Sequence, residues 1–329
     1  MRSAAAPLLT PALVLLTLLA CEGLGRGKQH ASDSSPLFRV LPVLYIPMQL
    51  LVTVWAAHEA ARTDSVPAFV SLALAVGVCM GVFGVLAAHE MVHSRTRWHQ
   101  ALGGLLLTGM TYRHFRIAHV YGHHRFAATD LDPSTARLGE NFYAFFARTL
   151  WEQPRLAYRF EKRRCRGRPM SLLRNCIAQD AVISCGAYVF LALGWGMRAA
   201  VFLALESAIA ILVLELFNYV AHYGLSRHTA NGKVERFADR HSWNSSGLGN
   251  FLIFNMGRHS HHHRAPSISY EGLKAATAPE LPYGYSGSIV LALIPPFWRA
   301  VMDRRAREAC WRAHEMGYTA GVEISLTVL

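Results

Sequence analysis

Three groups of histidines dominate any chemical reading of this chain. His89 and His93 stand in His-Glu-Met-Val-His, His119, His123 and His124 in His-Val-Tyr-Gly-His-His, and His259, His262 and His263 in His-Ser-His-His-His. A further stretch, Asn218-Tyr219-Val220-Ala221-His222-Tyr223-Gly224-Leu225, adds a lone His222. An α-helix turns about 100° per residue, so side chains three or four apart share a face, roughly 5–6 Å from each other. His89 with His93, His119 with His123, and His259 with His262 and His263 have that spacing, and His124 adjoins the second pair. Each group can therefore aim its imidazoles in one general direction. Imidazole is neutral near pH 7 and coordinates metals well, so the pattern implies a metal site.

One such pair alone would be an ordinary feature of a helix surface. His-Glu-x-x-His alone is also the zinc-protease signature, with Glu90 as general base. Recurrence at helical spacing beside apolar segments argues against a purely structural role and against a flexible histidine-rich tract. The six cysteines (Cys21, Cys79, Cys165, Cys176, Cys185, Cys310) include no Cys-x-x-Cys pair. With neither an iron–sulfur motif nor a disulfide framework, any metal centre must rest on the histidines.

The elements that position these residues are apolar. Of 329 residues 52% are hydrophobic and only 16% charged, against roughly 25% charged in ordinary soluble domains. With a mean hydropathy of +0.21 the chain reads as an all-α, polytopic membrane helical bundle forming one domain over residues 1–329. Crossing helices are expected at about Ala4 to Leu24, Val40 to Ala57, Val66 to Ala88, Cys176 to Leu193 and Ala199 to Val220. The first has a rival reading, because Leu18-Leu19-Ala20-Cys21 resembles a lipid-attachment cleavage site; only Arg2 supplies the charge such a signal needs.

Leu102 to Met110 is too short to cross and has ligand candidates on both flanks, so it is expected to re-enter and return on the same side. Arg137 to Arg168 reads as a basic amphipathic segment at the membrane surface. The pair at 176–220 turns at Gly194-Trp195-Gly196 and brings Asn218 and His222 back to the histidine side. Glu215, seven residues before His222, shares its helix face, and a carboxylate inside an apolar span is costly enough to imply a task. Asn231-Gly232 marks a turn in the polar stretch that follows.

The net charge of +12 fits cytoplasmic anchoring better than nucleic-acid binding, since no binding motif accompanies it. Arg26, Lys28 and Arg39 follow the first span, Arg62 sits against Glu59 and Asp64 after the second, and the segments after the third are strongly basic. This asymmetry places the N-terminus outside and the histidines on the cytoplasmic side.

From about Leu37 to Asp303 the chain resembles the membrane-bound alkane monooxygenases, non-haem diiron hydroxylases related to membrane fatty acid desaturases. Beyond the histidine groups, the resemblance covers Ala127, Thr129, Asp132-Pro133, Gly139-Glu140, Leu214-Glu215, Asn218 to Leu225, His241-Ser242-Trp243-Asn244-Ser245, Arg258-His259-Ser260, Leu281-Pro282 and Pro295-Pro296. A zinc protease shares only the first motif. The resemblance implies two iron ions held by His89, His93, His119, His123, His124, His222, His259, His262 and His263. It implies electrons from a rubredoxin, a small acidic carrier, reduced by an NADH-dependent reductase. No flavin or nicotinamide motif appears in the chain itself, which also points to a separate donor.

Three acids usual in the family are replaced here, by Ala118, Ala221 and His261, and the Lys often found after His93 is Ser94. Glu90, Asp130, Asp132, Glu140 and Glu215 remain as acids that could orient the imidazoles. Arg258 is assigned no catalytic role. The family also tends to carry one more N-terminal helix, so the chain is either naturally shorter or incomplete. The expected reaction is oxygen-dependent hydroxylation of an apolar C–H bond, most simply the terminal carbon of an alkane. Rivals are hydroxylation of an alkyl-aromatic, terpene or lipid, a desaturase, and a membrane zinc hydrolase using His89, Glu90 and His93.

Overall fold

Inside lipid an apolar run must satisfy its backbone internally, and here the runs do so by coiling into helices. The computed structural model describes residues 6–23, 36–165, 175–230, 233–315 and 323–325. Its longer helices are Ala6–Gly23, Pro36–Arg62, Val66–His93, Arg97–Thr108, Phe142–Arg164, Cys176–Trp195, Met197–His222 and Pro295–Glu315. Arg26, Lys28, the Arg166 to Arg168 end of the basic segment and the Asn231-Gly232 turn lie outside the described residues.

Among the described residues four helices are long and apolar enough to cross a membrane: Val40–Arg62, Val66–His93, Cys176–Trp195 and Met197–His222. The first expected span gives a shorter apolar helix, Leu8–Glu22. Local chemistry sets the boundaries. Ser65 caps the Val66 helix by accepting from Ala68 N at 3.4 Å, and Asn175 Oδ1 accepts from Ile177 N and Ala178 N at 3.0 and 3.1 Å. The Cys176–Trp195 helix stops at Gly196, whose φ of +87° suits glycine, and the next helix begins one residue on. Leu193, Phe190 and Val189 on that helix are exposed, as a lipid-facing surface requires.

Two compact units are interleaved along the chain: residues 1–20, 33–118 and 154–214 form one, residues 21–32, 119–153 and 215–329 the other. In the first, Ala56, Ala57 and Ala60 pack with Ala73, Val76, Leu191, Ala199, Phe202 and Leu203. Small residues let helices approach closely where lipid offers no hydrophobic drive. Gly77 and Gly81 form a Gly-x-x-x-Gly face: a Cβ at Gly77 would lie 2.8 Å from Ile209 Cβ, and one at Gly81 2.6 Å from Val213 Cβ. Residues 102–108 of the Leu102–Met110 stretch belong to the twelve-residue helix Arg97–Thr108, and Gly109 and Met110 turn out of its end. The helix lies against the end of the Val66–His93 helix, and a Cβ at Gly103 would sit 2.9 Å from Ala88 O. Asp180 then anchors the approach to His119, accepting from Arg113 Nε and Arg116, both at 3.0 Å.

The second unit is built on aromatics around the end of the Met197–His222 helix. Tyr219 packs on Phe142, Phe145 and Trp298 with ring centroids 5.3–5.7 Å apart. Its hydroxyl donates to Glu140 O at 2.6 Å, and Tyr223 donates to Asp303 at 2.6 Å. Short strands Thr229–Ala230, Lys233–Glu235 and Glu323–Ser325 pair antiparallel, a small addition to the expected helical class.

Candidate metal centre

The Val66–His93 helix contains a π turn at Met80–Gly84 before it delivers His89 and His93, whose rings lie 4.7 Å apart. His89 is buried and His93 half-buried.

The second group departs from simple helical spacing. Phe115–Ile117 is α-helical, Ala118–His123 is a π segment, and His124–Phe126 is α-helical again. A π winding closes i→i+5 hydrogen bonds, so residues five apart come over one another. His119 Nε2 and His124 Nε2 accordingly stand 3.0 Å apart, while the His119 and His123 rings stack at 5.1 Å. His262 Nε2 is 3.2 Å from His124 Nε2, and the ligand atoms of His119, His124 and His262 lie within 4.8 Å of one another.

His123, His222, His259 and His263 form a four-histidine cluster, all buried, with ligand atoms within 4.8 Å. The short helix His259–Arg264 supplies two of them. Its start is fixed by a two-way clamp: Asn244 Nδ2 donates to Ser260 Oγ at 2.8 Å, and Ser260 N donates to Asn244 Oδ1 at 3.0 Å. The His-Ser-Trp-Asn-Ser and Arg-His-Ser motifs are thus halves of one joint.

The outward nitrogens show what the inward ones must be. His222 Nδ1 donates to the His241 carbonyl at 2.8 Å, His259 Nδ1 to Met256 Sδ at 3.4 Å, and His123 Nδ1 meets Asp132 Oδ2 at 2.8 Å. A carbonyl and a thioether only accept, so His222 and His259 carry hydrogen on Nδ1 and present bare lone pairs at Nε2. Both lone pairs face His263 Nε2, at 3.2 and 3.1 Å. One N–H cannot fully satisfy two such acceptors, and buried His123 Nε2 and His263 Nδ1 find no hydrogen-bond partner among the described residues. A cation between these nitrogens turns their crowding into coordination, so the donor set fits a divalent transition metal.

The environment keeps the rings neutral and aimed. Burial and neighbouring imidazoles push His263 well below the usual histidine range. Burial, with Arg240 and Arg227 nearby, lowers His241 to about 3. Burial would raise Asp132, but His123 and a 2.7 Å hydrogen bond from Thr135 more than offset it and hold Asp132 below the usual carboxylate range.

The five expected acids are placed unequally. Asp132 touches His123. Glu215 is fully buried and accepts from Gln153 at 3.0 Å and Asn218 at 3.1 Å; Gln153 also donates to Ser134 at 2.8 Å, whose backbone N–H donates to Asp132 Oδ1. Glu215 is thus linked to His123 through Gln153, Ser134 and Asp132. Asp130 is turned outward beside the left-handed Ala128 and lies 3.7 Å from Arg137. Glu140 takes Arg148 as a two-pronged partner at 2.8 Å on each oxygen. Glu90 is half-buried beside His89 in sequence. His261 accepts from Lys274 N at 3.3 Å, and Arg258 donates to Leu273 O. The His241 carbonyl, Met256 and Phe237, stacked on His263 at 4.6 Å, escaped the sequence reading because no residue type announces them.

Glu140 gives a measurable pH signature. Burial would raise it, yet Arg148 and the Arg137 backbone N–H hold it below its usual 4.5. Its contribution is full above the unfolded value and fades as pH falls through the lowered one. Glu140→Gln should cost about 1.5–3 kcal/mol near neutrality, the range for hydrogen bonds to a charged group. Denaturation curves of the two proteins should converge in acid; a gap that persists there would show that charge is not the source.

The fatty acid desaturase family model matches residues 64–290. Alkane 1-monooxygenase 2 of Pseudomonas aeruginosa is 38% identical over 304 residues, covering 90% of this chain and 78% of the relative. Alkane 1-monooxygenase of Pseudomonas putida is 37% identical, covering 81% and 67%, and that of Acinetobacter baylyi 33%, covering 84% and 69%. With its apolar helices and converging histidines, this integral membrane protein belongs to the fatty acid desaturase family, together with the alkane 1-monooxygenases.

Proposed function

We propose that the chain hydroxylates the terminal carbon of alkanes, using O2, two electrons and two protons per turnover and releasing the alcohol and water. The observation that carries this reading is the convergence of bare imidazole nitrogens in a chain so similar to alkane 1-monooxygenases. We assign His89, His93, His119, His123, His124, His222, His259, His262 and His263 to two iron ions. Iron held there supplies the redox chemistry by which O2 is activated. Asp132, the His241 carbonyl and Met256 hold ring tautomers, and burial keeps bulk water from the cluster. The apolar helices give a chain-like substrate an approach from the bilayer.

The deciding experiment incubates purified, iron-loaded protein with a rubredoxin, its reductase and NADH under oxygen, over a panel of alkanes and alkylbenzenes. Terminal alcohols formed only with oxygen, and close to two irons per chain, are expected. One zinc with negligible iron and no oxygen-dependent product would defeat the proposal.

Electrons come from a rubredoxin on the cytoplasmic side of the inner membrane, a reading supported by the loop charges. Arg159 and Arg163 stand exposed, one turn apart on the basic helix, whereas Arg164 is held by Glu161 at 2.6 Å. Attraction to an acidic carrier raises encounter rates and is screened beyond a Debye length of about 8 Å at physiological ionic strength. Reversing Arg159 and Arg163 to Glu should slow rubredoxin-dependent turnover about tenfold or more at low salt, with iron content unchanged, and added salt should shrink the difference. A rate indifferent to both changes would place the docking surface elsewhere.

A further inference from the structure

The hydrogen-bond acceptors behind the four-histidine cluster form a graded series. His123 has a carboxylate, His222 a backbone carbonyl, and His259 a thioether. The last is the unusual member, and the chain is shaped to present it. Immediately before Met256 two non-glycine residues, Phe254 and Asn255, adopt positive φ of 50° and 53°. That conformation is costly, most of all for a bulky side chain such as Phe, and persists only where the surroundings impose it.

Here they do. Asn255 N donates to Asn250 O at 2.7 Å, and Asn255 Nδ2 donates to Tyr270 O at 3.1 Å. Gly257 sits so close to Asn250 that a Cβ would fall 1.8 Å from Asn250 Oδ1. The reversed chain enters the 3-10 turn Met256–Arg258, which places Met256, 3% exposed, one turn before His259. On its own side the His259 ring is braced by Phe217, edge to face at 5.5 Å.

We propose that Met256 is a positioning residue for the metal centre. Its sulfur accepts the hydrogen bond of His259 Nδ1, fixes that tautomer and leaves Nε2 to bind metal. As the weakest of the three acceptors, it makes His259 a less electron-rich donor than His123 or His222. This rests on the reading that His259 binds iron.

The test compares full-length parent, Met256→Leu and Met256→Gln, each purified and loaded with Fe(II), by the rate at which iron passes to a chelator and by the reduction potential of the bound iron. Leucine matches methionine in volume and apolarity but accepts no hydrogen bond; glutamine offers a stronger oxygen acceptor at similar length. Met256→Leu should release iron about 10-fold or more faster, the lower end of the loss seen when a metal-binding histidine loses its partner. Met256→Gln should hold iron at least as long as the parent and lower its potential. A packing role alone gives the reverse order, with leucine benign and a buried amide harmful. Leucine behaving as the parent, or glutamine releasing iron faster than leucine, overturns the role of Met256 alone. A parent that takes up no iron overturns the metal reading and this inference with it.

Discussion

Replacing His263 by alanine is expected to strip the four-histidine cluster of metal while the chain stays folded. His263 Nε2 faces the Nε2 atoms of both His222 and His259, and its ring also lies 4.4 Å from that of His124. No other imidazole of the cluster meets two bare lone pairs in this way among the contacts described. The loss should exceed the roughly 10- to 100-fold that follows from removing only a hydrogen-bond partner of a metal-binding histidine. Folding should survive, because the side chain gives up only its Nε2 contacts with His222 and His259, which one N–H cannot both satisfy, and its buried Nδ1 has no hydrogen-bond partner among the described residues to lose. His261→Ala is the internal comparison. It lies two residues away on the same short helix, but its Nδ1 accepts from the Lys274 backbone, and it should keep iron near the parent's level. Metal analysis after gel filtration, with product formation on the same samples, reads both. A His263→Ala protein that retains two irons and turns over within threefold of the parent would remove His263 from the site.

How much of this was legible depends on whether the determining interaction is local in sequence. Apolar length is local, so Val66–His93, Cys176–Trp195 and Met197–His222 were readable as spans, and helical spacing made the histidine groups readable as groups. The π turns were not. They arise when a helix must accommodate an extra residue under tertiary constraint, and the one at Ala118–His123 changes which histidine stands over His119. Nor could sequence assign the acids: Asp132 and Asp130 are two residues apart, yet one is buried on His123 and the other faces outward. The partners of His222 and His259 are a backbone carbonyl and a methionine, groups present everywhere in any chain. The Gly77-x-x-x-Gly81 repeat was in plain view, but its meaning depends on which helix lies opposite.

That repeat carries the second large effect. Gly77 and Gly81 lie one turn apart on the helix that ends in His89 and His93, facing the helix that ends in His222. Opposite them stand Ile209 and Val213, also one turn apart and both β-branched, with little rotamer freedom to retreat. At Gly81 an added Cβ would meet Val213 Cβ at 2.6 Å and Ala210 O at 3.0 Å, so a backbone as well as a side chain blocks it. Gly81→Ala should cost about 1–3 kcal/mol, the usual penalty for overpacking. Gly81→Leu should leave little folded protein in mild detergent. The higher helix propensity of alanine, worth up to about 1 kcal/mol over glycine, offsets only part of this. Gly186, on the lipid-facing Cys176–Trp195 helix with nothing within 4 Å of its would-be Cβ, isolates the propensity effect, so Gly186→Ala should be neutral or stabilising. Unfolding in a detergent–denaturant series distinguishes them. If Gly81→Ala is as benign as Gly186→Ala, the two helices are free to separate without penalty, and close packing at Gly81 is not what holds these histidine-bearing helices in place.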